Sequence, residues 1–291
     1  MEYLPRDGSL MLSLRAPAKI NLTLEVLGKR NDGFHEIRSV FQTIDLSDTL
    51  RFQTAEHTAY HCDIPGWQPE YSLVSRAVAI LQEHTRPTKN VEITIEKQIP
   101  LMSGLGGDSS NAAAVIYGLN QLWELDLAPE VIFDLATRLG SDVPFFLHGR
   151  TVLASGRGEI ITPLPSPAPT WIVLVFPGIP SPPGKTRQMY AALKSAHYTN
   201  GSITQRLADS LRTSRPLEAS LLFNTFENVA FDKYPGLTVY KEHLLKLGAP
   251  RVHLTGSGPT LFTLFDDKIT AADFLARCRD QNMKSVMVPT L

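Results

Sequence analysis

Pro100-Leu101-Met102-Ser103-Gly104-Leu105-Gly106-Gly107-Asp108-Ser109-Ser110-Asn111-Ala112-Ala113-Ala114-Val115-Ile116 reads as a glycine-rich loop running into an alanine-rich helix. Gly104, Gly106 and Gly107 give the backbone angles that side chains forbid, and they let a ligand approach the main chain. Ser109 and Ser110 are residue types that cap a helix, here one expected to begin at Asn111. The first N–H groups of such a helix have no internal partner, and its dipole is positive at that end, so a phosphate fits there. On its own, this pattern also describes an ordinary turn before a capped helix.

Two better-known loops are excluded. A Walker A loop needs Gly, four residues, then Gly-Lys-Ser/Thr; Ser109-Ser110 stand in those places, without a lysine. The dinucleotide fingerprint fails at Ser109, where its third glycine would be. A second lysine-bearing stretch, Gly178 to Gly184-Lys185-Thr186, is one residue too long for Walker A and contains three prolines. Proline has no N–H, so this segment makes a poor phosphate cradle.

Around the loop, the pattern is mixed. Strands are expected at Leu12–Arg15, Ile20–Leu27, Ile37–Ile44 and Thr49–Thr54, and Asn90–Lys97 alternates as a strand with one buried face. Arg30-Asn31-Asp32-Gly33 is a turn signal. Helical spacing is expected over 71–83, 109–123 and 128–139, before an apolar segment at Val143–Leu147 and strands near 151–154 and 159–161. Four prolines fall within Pro163–Pro169, a stiff crossing that places a domain boundary at 165/166. Beyond it come a strand at Trp171–Phe176, a proline-rich loop at 177–183 and helices near 186–195, 202–211, 217–230 and 235–247. The end reads strand, Gly-Ser-Gly turn, strand, helix, strand. The order is that of an α+β protein with domains at 1–165 and 166–291.

Composition narrows the function. The 291 residues are 43% hydrophobic and 20% charged, with a formal net charge of -1. That is a globular balance, and the absence of a basic excess argues against nucleic acid as a partner. The longest apolar runs are strand-sized, which argues against a membrane partner. Cys62 and Cys278 are isolated, so neither a disulfide framework nor a zinc site is expected, and a reducing cytoplasm suits the chain.

Further segments carry chemistry. Phosphoryl transfer needs an in-line nucleophile, neutralised γ-phosphate charge and a carboxylate for the hydroxyl proton. Asp142, in Gly140-Ser141-Asp142-Val143-Pro144, sits between a glycine and an apolar run and suits the carboxylate role. Lys19, in Ala16-Pro17-Ala18-Lys19-Ile20-Asn21, opens a strand among apolar neighbours and suits neutralisation of charge on the attacking oxygen. Singly, an Asp before Val-Pro is more often a cap, a Lys at a strand start a solvated edge charge, and His35 a hydrogen-bonded surface or core residue. Gly256-Ser257-Gly258 alone is a hairpin connection.

Together, Pro-Ala-Lys19-Ile-Asn21, the 104–113 loop, Gly-Ser-Asp142-Val-Pro and Thr-Gly256-Ser257-Gly258-Pro-Thr resemble the GHMP small-molecule kinases, over residues 13 to 288. The resemblance implies a ribosomal-protein-S5-like N-terminal domain, a ferredoxin-like C-terminal domain, ATP with Mg2+, and an alcohol as phosphoryl acceptor. With Arg30 to Glu36 it narrows to members acting on the 2-hydroxyl of a sugar alcohol bearing a cytidine diphosphate, in a non-mevalonate isoprenoid route. It implies Asp142 as base with Lys19 as partner. Residues Pro100 to Ser110, with Lys97, are implied around ATP, and Asn21 near the reacting hydroxyl. Phe34 and His35 would read cytosine, with Tyr190 (reached through Thr186) as a second ring and Phe41 as a further wall. Gly256, Ser257 and Gly258 would border the site. Ser72 stands where an adenine-contacting asparagine is expected, and Asp108 faces either magnesium or solvent. A monomer or homodimer is expected. Homoserine, mevalonate or galactose as acceptor, a non-catalytic sugar or nucleotide sensor, and an RNA-binding module are the competing readings.

Overall fold

The structure is a computed structural model that describes residues 2–6, 9–85, 89–180, 184–213 and 217–291. In chain order it contains β1 (Glu2–Arg6), β2 (Ser9–Lys29), β3 (His35–Ala55), β4 (Ala59–Cys62), α1 (Leu73–Thr85), β5 (Asn90–Glu96), α2 (Gly107–Leu122), α3 (Pro129–Leu139), α4 (Val143–His148), β6 (Thr151–Gly156), β7 (Ile160–Pro163) and β8 (Trp171–Val175). Then come α5 (Lys185–Ala192), α6 (Ser202–Arg212), β9 (Phe223–Asn224), α7 (Glu227–Lys233), α8 (Leu237–Lys246), β10 (His253–Leu254), β11 (Leu261–Phe265), α9 (Lys268–Asp280) and β12 (Ser285–Pro289). The α+β reading holds. Of the proline-rich loop expected at 177–183, residues 181–183 lie outside the described residues.

Two compact units are present, each assembled from separate segments. The first holds 1–18, 46–101 and 106–148; the second holds 19–45, 102–105 and 149–291. The proline cluster at 163–169 thus falls inside the second unit, because β7 pairs with β6 and β6 pairs with Ile37–Gln42 of β3. The strands expected separately within 12–27 and 37–54 are continuous, so β2 and β3 each contribute to both units.

In the first unit, Thr49–Ala55 of β3 lies antiparallel to β5, and β4 runs parallel to β5. The alternation read in 90–97 has a direct outcome: Val91, Ile93 and Ile95 are buried, with polar residues between them. They pack with Phe52, the inner faces of α1 and α3, and the small residues of α2. Gly118 is one reason for the close fit of α2, since a Cβ there would stand 2.9 Å from the Phe52 ring.

In the second unit, β8, α8, β10, β11, α9 and β12 form a four-stranded antiparallel sheet ordered β10-β11-β8-β12. That is the ferredoxin-like β-α-β-β-α-β arrangement. The central strand β8 buries Ile172, Val173, Leu174 and Val175 in succession, the continuous apolar pattern of a strand covered on both faces.

The helix expected over 217–230 forms only from Glu227. Before it lie a short 3-10 turn (Ala219–Leu221) and β9, which runs parallel to Thr23–Leu24 of β2. Polar side chains cause the break. Asn224 donates to the carbonyls of Leu254 and Gly256, its Oδ1 accepts from Phe226 N–H, and Thr225 Oγ1 accepts from Val26 N–H. Asn and Thr that bond backbone in this way compete with the helix.

Candidate active site

The first unit carries the helical half of the glycine loop. Helix α2 starts at Gly107, four residues before the Asn111 that capping by its serines suggests: Gly106, at φ 73°, is the N-cap, and among the described residues no side chain caps the helix. Ser109 and Ser110 therefore lie inside the first turn, and Ser110 N–H donates to Gly106 O at 2.9 Å. The left-handed cap, which glycine adopts freely, leaves the leading N–H groups without a side-chain acceptor. A Cβ at Gly107 would meet Ile99 at 2.9 Å and Lys97 Nζ at 3.3 Å, so only glycine fits and an ammonium stands beside the helix start.

That ammonium is buried and pairs with Asp48, whose side chain has no exposure. Asp48 Oδ1 accepts from Gln98 and Ile99 N–H, each at 2.8 Å. Asp108 does not stand alone either. Its carboxylate accepts from the Ser72 hydroxyl at 2.8 Å and from Leu73 N–H at 3.1 Å, while Ser72 Oγ accepts from Val74 N–H at 3.1 Å. Ser72 and Asp108 thus close the start of α1, which accounts for a serine and a negative charge at these two positions. Asp142 is half-buried in the turn before α4, where Val143 N–H donates to Gly140 O at 3.2 Å.

The second unit gathers residues from several distant segments. Lys19, 3% exposed, donates from Nζ to Asn21 Oδ1 at 2.8 Å and lies 4.5 Å from the centroid of the Phe41 ring. Phe41 is buried beneath it. Asn21 Oδ1 also accepts from Gly256 N–H at 3.0 Å, and its amide donates to Ser39 Oγ at 3.0 Å. Lys19 N–H donates to Leu105 O at 2.9 Å, tying β2 to the 102–105 arm of the glycine loop.

That arm presses on the Gly-Ser-Gly turn. A Cβ on Gly104 (φ +86°) would stand 2.5 Å from Thr255 O, and one on Gly256 would stand 2.8 Å from Gly104 O. Thr186 Oγ1 and Ser257 Oγ are 3.0 Å apart, and Tyr234 Oη donates to Ser257 O at 2.9 Å. Lys185, Thr255 and Asn224 join this cluster, and the sequence reading gave none of them a role.

An aromatic group completes the second unit. His35 stacks on Tyr190 with centroids 4.7 Å apart and planes 19° apart, and Tyr198 meets its edge at 6.1 Å. The Arg30–Gly33 turn forms as read, with Arg30 N–H to Phe34 O at 2.8 Å. It leaves Phe34 half-exposed, with the Arg157 guanidinium 4.7 Å from its ring centroid. Burial, and then the nearby Lys29 charge, lower the His35 pKa below its ordinary value. The imidazole is therefore neutral at pH 7, with one donor and one acceptor.

Residues 72–150 match the GHMP kinases N-terminal domain and residues 206–284 the GHMP kinases C-terminal domain. The chain belongs to this family and is a small-molecule kinase. Among its relatives is a 4-diphosphocytidyl-2-C-methyl-D-erythritol kinase from Dehalococcoides mccartyi, 45% identical over 97% of this chain and 99% of that one. A Geobacillus kaustophilus protein of the same name is 39% identical over 88% of this chain and 89% of its own. A crystal structure of 4-(cytidine 5'-diphospho)-2C-methyl-D-erythritol kinase superposes with a TM-score of 0.80 at 31% identity, over 96% of this chain and 99% of that one. An L. major mevalonate kinase shares the fold at 15% identity and a TM-score of 0.73, over 99% and 98% of the two chains.

Proposed function

We propose that this kinase transfers the γ-phosphoryl group of ATP to the 2-hydroxyl of 4-diphosphocytidyl-2-C-methyl-D-erythritol, within the non-mevalonate route to isoprenoid precursors. The observation that carries the reading is 45% identity, sustained across 97% of this chain, to a relative bearing that substrate in its name. ATP supplies the phosphoryl group. The residues fit its phosphates: three glycines that no side chain could replace without strain or contact, an uncapped helix start and the buried Lys97 ammonium beside it. Residues 100–110 are assigned to this cradle. Among the described residues no group of three or more acidic, His or Cys side chains could hold a metal ion. Mg2+ is therefore assigned to the nucleotide phosphates, with at most one or two protein carboxylates, as is usual for this ion.

In the proposed reaction, Asp142 accepts the proton of the 2-hydroxyl as its oxygen bonds to the γ-phosphorus and the bond to the β,γ-bridging oxygen breaks. Lys19 offsets negative charge on the attacking oxygen, and Asn21, fixed by Gly256 N–H and Ser39, orients Lys19. Phe34, His35 and Tyr190 recognise the cytosine: the rings offer π faces, and the neutral imidazole offers a donor and an acceptor to the base edge. Phe41 supports Lys19 from below, and Thr186, Gly256, Ser257 and Gly258 bound the acceptor. Two cysteines without a disulfide, Cys62 and Cys278, accord with a cytoplasmic enzyme. Among the described residues, no helix is long and apolar enough to cross a membrane.

The test is ADP release with the cytidine substrate against homoserine, mevalonate and galactose. Release with the cytidine substrate alone is expected; release with one of the others instead overturns the proposal. Tyr190→Ala removes the ring stacked on His35. It is expected to raise KM for the cytidine substrate roughly tenfold, the effect of about one lost stacking contact, with kcat little changed. An unchanged KM would remove Tyr190 from base recognition.

A further inference from the structure

Lys185 belongs to the lysine-bearing segment that fails as a Walker loop, and it opens α5 with its side chain turned inward. Only 8% of the residue is exposed. Its ammonium donates to two backbone carbonyls, Met102 O on the glycine-loop arm and Gly258 O on the Gly-Ser-Gly turn. Among the described residues no carboxylate pairs with it. Lys185 also lines a cavity of about 450 Å³ with Ile179, Met189, Lys233 and Tyr234.

A buried, unpaired ammonium is costly, and a fold that needed only two donors would do better with a neutral group. Both acceptors belong to segments with strained or crowded glycines: Gly104 and Gly256 leave no room for a Cβ between them. The Thr255 hydroxyl already donates to Gly104 O at 3.4 Å, and a donor that reaches both the Met102 and Gly258 carbonyls adds a second tie between the two strips. The three rotatable N–H bonds of lysine do this, and the charge they carry lies against the backbone of the glycine-loop arm.

We propose that Lys185 is a positioning residue for the nucleotide polyphosphate, tying the 102–105 arm of the glycine loop to the 256–258 turn and supplying fixed positive charge to that arm. The inference rests on the reading of 100–110 as the phosphate cradle and does not depend on which alcohol accepts the phosphoryl group. Burial, and then the charge of Lys19, bring the Lys185 pKa down to about 8. The titratable groups facing it from other elements are Lys19 of β2, Lys233 of α7 and Tyr234, whose hydroxyl is committed to Ser257 O. The ammonium is charged below about pH 8 and neutral above it, so polyphosphate affinity falls as the pH rises through that value.

The experiment is calorimetric binding of a non-hydrolysable ATP analogue with Mg2+, from pH 6.5 to 9.5, to the natural protein, Lys185→Met and Lys185→Arg. Lys185→Met is expected to bind roughly tenfold more weakly at pH 7, the loss of about one charge-assisted contact. The natural protein is expected to lose affinity with a midpoint near pH 8. Lys185→Arg, charged throughout, is expected to keep most of the affinity and to lose that alkaline limb. A limb unchanged in Lys185→Arg, or analogue affinity unchanged in Lys185→Met, overturns the proposal. Should Lys185→Met fail to fold, the arginine profile decides alone. No acceptor is present, so failure of the natural protein to phosphorylate the cytidine substrate would sink the functional reading and leave this result standing.

Discussion

Asp142→Asn is expected to bind ATP and the cytidine substrate with affinities close to those of the natural protein and to lose about 10²–10⁴ in kcat. The amide has nearly the shape of the carboxylate, but it does not take up a proton at neutral pH. Backbone bonding, not the carboxylate alone, sets the turn that carries it: Val143 N–H donates to Gly140 O, and Pro144 follows in the first turn of α4. The substitution therefore leaves the local fold in place. Single-turnover kinetics with saturating substrate, beside calorimetric binding of each ligand, check both halves of the expectation. A variant that keeps near-natural kcat would exclude Asp142 as the base. If binding collapses together with turnover, the carboxylate is holding ligands rather than moving a proton. Lys19→Met should also lower kcat, and the double variant should lose little beyond the worse single one, since groups acting at one step are not additive.

The parts of this molecule legible in the sequence are those fixed by near neighbours. The alternation of 90–97 and the Asn-Asp-Gly turn each encode their backbone within a few residues and form where they were read, and the glycine loop does so as far as Gly106, where the helix begins early. The family was legible through a combination of short motifs, of which none was specific by itself. What escaped was polar residues whose partners lie far along the chain. Ser47-Asp48 punctuates a strand pattern and reads as a break, but β3 continues through it because Asp48 meets Lys97 and the Gln98–Ile99 amides about fifty positions later. Asn224 and Thr225 sit in a helical pattern and are spent on Leu254, Gly256 and Val26. Ser109 and Ser110 look like caps, but Gly106 begins the helix by its own conformation. Lys185, excluded with its segment as a phosphate loop, reaches two carbonyls on either side of it in sequence. No local signal distinguishes such a lysine from a solvated one; only the absence of room for side chains at Gly104 and Gly256 marks where it is needed.

Asp48→Asn is expected to destabilise the first unit by about 3–5 kcal/mol, the usual cost of leaving one member of a buried ion pair without its counter-charge. Lys97 is 4% exposed at its side chain and Asp48 not at all, so water cannot replace the lost partner. The asparagine oxygen can still accept from Gln98 and Ile99 N–H, which isolates the charge effect from the two backbone bonds. Trp67 and Trp123 both pack in the first unit's core, and in a Trp171→Phe background their fluorescence during guanidinium unfolding reports that unit. Adding Lys97→Met to Asp48→Asn removes the stranded charge and should recover most of the loss, a coupling that a double-mutant cycle measures directly. The recovered protein would still lack an ammonium beside Gly107. It is therefore expected to unfold like the natural protein yet bind the ATP analogue more weakly, because the charge beside the start of α2 is gone. Recovery of stability together with full analogue affinity would leave Lys97 as a structural partner of Asp48 and remove it from the phosphate site. An Asp48→Asn variant as stable as the natural protein would mean that the pair contributes no more than an exposed one.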